Sequence, residues 1–245
     1  MWYLERIDPL PFLLGEDVIS FVGGGGKTSL AEYLGQAAAG QGKLVVMTTT
    51  THIWAKEPYT IFGDRDPEKS GKGRRFVRMG KSVEQGKLTG IDPGDVEALR
   101  REYDLVLVEA DGAKGLPLKY PAAHEPVIPP CSGLTVVVAG LDALGLTIAQ
   151  AVFRQELFRR VTGLSPDTEI TAPVFVRLFE GDALMKGVDR AGYVVVLNKY
   201  DACGDRESVP RLAAAVGRHT GGGQVIVASV RQGEFYGLAS SGPGG

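Results

Sequence analysis

Four consecutive glycines run into Lys27-Thr28-Ser29, directly after an apolar stretch holding Val18, Ile19, Phe21 and Val22. Gly23, Gly24, Gly25 and Gly26 carry no Cβ, so successive backbone N–H groups can turn inward onto phosphate oxygens. The dipole of a following helix adds to that attraction. In such a loop Lys27 reaches the β- and γ-phosphates, the Thr28 hydroxyl ligates Mg²⁺, and residues 23–29 together make the phosphate contacts. The common G-x-x-x-x-G-K-[ST] spacing would need glycine at position 21, where this chain has Phe21. The loop is therefore expected to be shorter or differently bent. A glycine-rich turn that binds nothing would leave the Lys-Thr pair at the helix start unexplained.

Asn198-Lys199-Tyr200-Asp201 ends the apolar run Val194-Val195-Val196-Leu197. This is an NKxD pattern. The aspartate carboxylate accepts from the guanine N1–H and exocyclic amine, the asparagine contacts the ring edge and supports the phosphate loop, and the lysine stem lies along the base. Alone, the tetrapeptide also suits a strand-to-helix turn, but behind a phosphate loop it points to GTP. Leu105-Val106-Leu107-Val108 leads into Glu109-Ala110-Asp111-Gly112, a Walker-B-like strand end where a carboxylate holds Mg²⁺ through water. Which of Glu109 and Asp111 lies nearer the metal stays open. Lys27, Glu109 and Asp111 are the candidate catalytic groups: Lys27 and Mg²⁺ neutralise charge on the phosphates, and the carboxylates hold the metal. Ala228-Ser229 ends the last apolar run, where a backbone N–H can meet guanine O6.

Other residues carry weaker signals. Thr48-Thr49-Thr50-Thr51 ends a strand-like run and offers hydroxyls to a metal or to water, although a β-branched strand end needs no such role. His52 and His124 could move protons, yet a loop histidine is more often simply hydrogen-bonded. Lys114 is the better candidate for touching an anion. Cys131 and Cys203 lie far apart and form neither a disulfide framework nor a zinc pattern. A lone thiolate at Cys131 could hold a soft element, but most such cysteines are inert.

Short β-branched runs alternate with helical patterns, which implies parallel strands joined by crossover helices. Strands are expected at residues 18–22, 44–48, 105–109, 134–139, 193–198 and 224–229, with a shorter one at 75–79. Helices are expected at 27–39, 94–102, 155–161, 173–186 and 207–220. The fold class is α/β, P-loop NTPase-like, with a mostly parallel central sheet and helices on both faces. One nucleotide-binding domain should span residues 1–238, with a small excursion around 61–90 and a flexible tail at 239–245. The chain has 245 residues and a net charge of −2. It shows no basic excess that would call for nucleic acid, and the cluster Lys69, Lys72, Arg74, Arg75 and Arg78 reads as a solvated loop and strand edge. With no secretory pattern and no membrane-length apolar stretch, the cytoplasm is the expected location.

Taken together, the glycine loop, the threonines with His52, residues 108–119 (VEADGAKGLPLK), His124-Glu125-Pro126-Val127-Ile128-Pro129, residues 140–145 (GLDALG) and NKxD resemble the YqeC family. These are accessory proteins of selenium-dependent molybdenum hydroxylases. The Glu109-Ala110-Asp111-Gly112 variant also resembles that of GTPases that insert nickel into urease and hydrogenase. The resemblance implies a role in making or inserting a selenium-containing cofactor. Its partners would be a molybdenum hydroxylase or another maturation protein, with a homodimer as one arrangement. On the residues alone, an ATP-dependent or phosphoryl-transferring enzyme on a small metabolite, or a nucleotide-responsive module without turnover, are the alternatives.

Overall fold

The computed structural model describes residues 1–64, 73–181, 183–189 and 192–241. Its frame is a ten-stranded sheet: β1 (Trp2–Arg6), β2 (Val18–Gly23), β3 (Val45–Thr49), β4 (Tyr59–Ile61), β5 (Phe76–Gly80), β6 (Leu105–Glu109), β7 (Leu134–Gly140), β8 (Tyr193–Asn198), β9 (Gln224–Ser229) and β10 (Glu234–Ser240). The spatial order is β1-β10-β9-β8-β7-β2-β6-β3-β5-β4. Strands β9 through β4 in that order run parallel, and β10 and β1 close one edge antiparallel. The expected mixed α/β fold with a mostly parallel central sheet is present, and its six main strands lie within a residue of their expected positions.

The central strands are buried along their whole length because alternate residues serve two separate cores. On one face, Ile19, Phe21, Val136, Val138, Val194, Val196 and Ile226 pack with Leu30, Ala31, Leu34 and Ala38 of the helix Lys27–Gly40. On the other, Val137, Val195, Leu197, Val225 and Val227 pack with Leu212 and Val216 of the helix Val209–Thr220 and with Phe158, Phe175 and Phe179. A strand with an apolar residue at every position can only sit between two such layers.

Five expectations need correction. The helix expected at 173–186 is a short helix Ala172–Val176 followed by a 3₁₀ turn Arg177–Phe179 and irregular chain, with Gly181 at φ +53°. Leu178, Phe179, Leu184 and Met185 are all buried, so this apolar stretch fills the core without a helical stripe. The helix expected from 207 begins at Val209, where Pro210 sits in its first turn. Within the 61–90 excursion, β4 and β5 extend the main sheet. Val83–Glu84, Lys87–Thr89 and His52–Trp54 form a separate antiparallel sheet. The expected tail is a strand as far as Ser240, because β10 is hydrogen-bonded on both sides, to β9 and β1; its last residues, 242–245, lie outside the described residues. Lys69 and Lys72 of the basic cluster also lie outside them, while Arg78 is buried against Glu32 at 2.8 Å rather than solvated. Among the described residues, no helix is long and apolar enough to cross a membrane.

The unexpected strand β10 anchors itself through Phe235, which is 1 % exposed and meets the Tyr33 ring at a tilt of 42° with centroids 5.0 Å apart. Phe235→Ala should cost about 3–5 kcal/mol in urea unfolding. A loss below about 1 kcal/mol would mean that β10 contributes nothing to the core.

Candidate nucleotide site

Because the central strands are parallel, the C-terminal ends of β2, β6, β7, β8 and β9 share one edge of the sheet. Every motif singled out above sits on that edge. The glycine loop leaves β2 and turns at Gly26, which caps the helix Lys27–Gly40 in a left-handed conformation at φ +116°. Gly24 meets a different constraint: a Cβ there would lie 2.7 Å from the Pro117 carbonyl oxygen and 2.9 Å from that of Leu116. Residues 112–119 thus lie across the loop as a strap. The loop amides are in use. Gly23 N–H donates to Asp111 Oδ2 (2.9 Å), Gly24 N–H to the Val138 carbonyl (2.9 Å) and Gly25 N–H to the Leu116 carbonyl (3.0 Å). The helix's own amide bonding begins with Leu30 N–H to the Gly26 carbonyl. The amides of Lys27, Thr28 and Ser29 have no intrahelical partner and point out of the helix end.

Lys27 is buried. Its ammonium donates to the Gly23 carbonyl and faces Asp111 Oδ1 at 3.0 Å. Glu109 is buried at the end of β6, and burial pushes its carboxyl above the usual range. Lys27 and a hydrogen bond from the Thr28 hydroxyl pull it back, and the Asp111 charge pushes it further up. Its Oε1 has no hydrogen-bond partner. Asp111 Oδ1 also lacks a hydrogen-bond partner, but both Asp111 oxygens face lysine ammoniums, since Oδ2 lies 3.1 Å from Lys119 Nζ. A buried carboxylate with one partnerless oxygen, beside the Thr28 hydroxyl, fits Mg²⁺, which takes one or two carboxylate ligands and completes its shell with phosphate and water. Glu109 and Thr28 are the residues that would hold it. No group of three or more His, Cys, Asp or Glu forms a protein-only metal cage among the described residues.

The NKxD segment reaches the loop directly. Asn198 Nδ2 donates to the Gly25 carbonyl at 2.8 Å, and its Oδ1 accepts from Val230 N–H at 3.2 Å. Lys199 takes a left-handed backbone, φ +64°, and binds Asp142 Oδ2 at 2.7 Å. The Asp201 side chain is exposed, and its backbone N–H donates to Ser229 Oγ at 3.1 Å. Ser229 therefore braces the NKxD turn with its hydroxyl. The next amide along, Val230 N–H, is already committed to Asn198.

Of the weaker candidates, Thr49 Oγ1 donates to the Glu109 carbonyl (2.8 Å) and Thr50 Oγ1 to the Val127 carbonyl (2.7 Å), so these hydroxyls brace backbone. Thr48 Oγ1 is buried without a partner. His52 and His124 are exposed. Burial and Glu97 push the Cys131 thiol up, away from the reactive thiolate. Sequence reasoning missed Asp142, the partner of Lys199. It also missed a buried ion network: Lys119 is 0 % exposed and binds the Gly112 carbonyl (2.8 Å), Glu125 Oε2 (2.8 Å) and Asp111, while Arg154 pairs with the same Glu125 oxygen. The signal was available, since Lys119 and Glu125 fall inside two of the stretches that carried the family resemblance.

The sequence model of the family described as "YqeC protein" matches residues 19–156, which takes in the glycine loop, the acids of β6 and the strap. The chain belongs to the YqeC family. It is 37% identical over 170 residues to the Escherichia coli (strain K12) protein named "Uncharacterized protein YqeC", an alignment spanning 66% of each chain. NKxD lies beyond the part matched by the family model.

The ion network sets a pH dependence. Arg154 and Lys119 hold the Glu125 carboxyl down to about 2 against the opposing effect of burial. A depressed carboxyl stabilises the fold above its unfolded value, and that contribution is lost as pH falls toward the folded one. Glu125→Gln should therefore destabilise the protein by roughly 3 kcal/mol near neutral pH. The gap from wild type should close between about pH 4.5 and 2. Urea unfolding across that range checks it, and a gap independent of pH would refute the assignment.

Proposed function

We propose that this YqeC-family chain binds GTP with Mg²⁺ and hydrolyses it slowly. We further propose that it serves as an accessory protein in making or inserting the selenium-containing cofactor of molybdenum hydroxylases. The observation that carries the nucleotide reading is the 2.8 Å bond from Asn198 Nδ2 to the Gly25 carbonyl, which ties the base-reading segment to the phosphate loop. The two motifs lie 173 positions apart in sequence, and a chance strand-to-helix turn would have no reason to meet the loop.

In this reading the exposed Asp201 carboxylate accepts from the guanine N1–H and amine, with the Lys199 stem alongside the base. The free amides of Lys27, Thr28 and Ser29 receive phosphate oxygens. Lys27, now on Asp111 and the Gly23 carbonyl, turns to the β- and γ-phosphates and neutralises charge as it develops on them. Bound Mg²⁺ would supply further neutralisation from Glu109 and Thr28. Asp111 stays neutralised by Lys119 when Lys27 leaves it. A partner protein or second copy would supply any arginine finger, and the maturation role rests on the family resemblance together with this site.

Calorimetry with GTP, GDP and ATP in the presence of Mg²⁺ tests the reading. Micromolar, guanine-selective binding is expected, falling at least about tenfold in Lys27→Ala, and Asp201→Asn should abolish the preference for GTP over ATP. An Asp201→Asn protein that still preferred GTP would sink the guanine assignment, and absence of all nucleotide binding would sink the function.

A further inference from the structure

Beside the phosphate loop, three cations surround one aromatic ring. The Arg154 guanidinium lies 4.7 Å from the Phe153 centroid, Lys114 Nζ 5.4 Å and Lys119 Nζ 5.9 Å. Lys119 is fully engaged with a carbonyl and two carboxylates. Arg154 commits one amino group to Glu125, and among the described residues no other acceptor takes its remaining donors. Lys114 is exposed, and among the described residues no carboxylate pairs with it. Like charges gathered this closely repel, and the ring face offsets only part of that cost.

The backbone pays as well. Among the described residues, four non-glycine residues have positive φ, and Lys114 (+49°) and Arg154 (+59°) are two of them; a third is Lys199 of the NKxD segment. Such a backbone is strained and persists where the surroundings over-determine it, commonly at ligand sites. Here the two turns bring side chains from the strap and from the start of the helix Gln155–Thr162 onto the same ring. The charge count points the same way. Lys27, Lys119 and Arg154 share two carboxylates, Asp111 and Glu125, and among the described residues Lys114 faces none. Nucleotide phosphates would answer the surplus at Lys27 but leave the one at Lys114 and Arg154 unmet.

We infer that Lys114 and Arg154, set against the Phe153 ring, form a second anion subsite that takes the phosphate or carboxylate group of a small molecule. Lys114 lies two residues before Leu116, whose carbonyl is bonded to Gly25, so the subsite opens next to the phosphate loop. It is separated from Lys27 by the mutually neutralised Asp111 and Lys119 and does not depend on nucleotide occupancy. A ring face with a guanidinium on it favours a flat ligand body behind the anionic group.

The test is a ¹H–¹⁵N NMR titration of the full chain with inorganic phosphate and, in parallel, acetate. Saturable shifts are expected at the Lys114, Gly115 and Arg154 amides. Lys114→Ala should weaken them at least about tenfold, and Lys114→Arg should restore them, with the Lys27–Ser29 amide responses unchanged. A response to phosphate alone identifies a phosphate-bearing ligand, and an equal response to acetate a carboxylate. The inference fails if neither anion shifts those amides, or if Lys114→Ala leaves the midpoint where it was. Lys114 is exposed, so the variant should fold. A GTP titration followed at the Lys27–Ser29 amides reports the nucleotide site separately, so either site can fail while the other stands.

Discussion

Asp111 is the interaction on which the site depends. Its two carboxylate oxygens meet the Lys27 ammonium, the Lys119 ammonium and the Gly23 amide, which come from the helix Lys27–Gly40, the strap and the end of β2. One buried side chain therefore fixes three segments that adjoin in space and lie far apart in sequence. A carboxylate so placed is tolerable in a low dielectric because lysines face it, and Lys119, itself held by Glu125 and the Gly112 carbonyl, remains on it when Lys27 turns away. Loss of Asp111 itself would leave the buried Lys27 without its carboxylate partner.

The parallel sheet does the rest. Strand β6 is hydrogen-bonded directly to β2, with Phe21 opposite Glu109, so the acid at the end of one strand and the glycine loop at the end of the next are brought side by side by register alone. Strand β8 stands two places from β2 with β7 between them, a spacing that Asn198 bridges. Alternation along β7, β8 and β9 divides the same strands between two apolar cores, which holds these ends rigidly.

Much of this was legible in the sequence, and the gaps have physical reasons. Wholly apolar runs such as Val194-Val195-Val196-Leu197 announce a strand covered on both faces, and the glycine loop, the acids and NKxD were each visible as local patterns. Strand β10 was hidden because its glycine and polar residues resemble a linker, and only its pairing between β9 and β1 makes it a strand. The stretch after Val176 misled in the opposite way, since an apolar run reads as helix until Gly181 and the core's demand for volume decide otherwise. The Lys119–Glu125–Arg154 network leaves no period in the sequence, because its residues lie in separate loops; only the family-like stretches around Lys119 and Glu125 hinted at it.

The strap across the loop has a thermodynamic consequence. The Gly25 N–H already donates to the Leu116 carbonyl, so a phosphate oxygen that claims this amide exchanges one hydrogen bond for another. The gain is a difference rather than a full bond, and the displaced carbonyl must find water or a new donor. Compared with a loop whose amides stand open, the heat released on binding should be smaller, and more of the affinity should come from charge and from water released at the helix end.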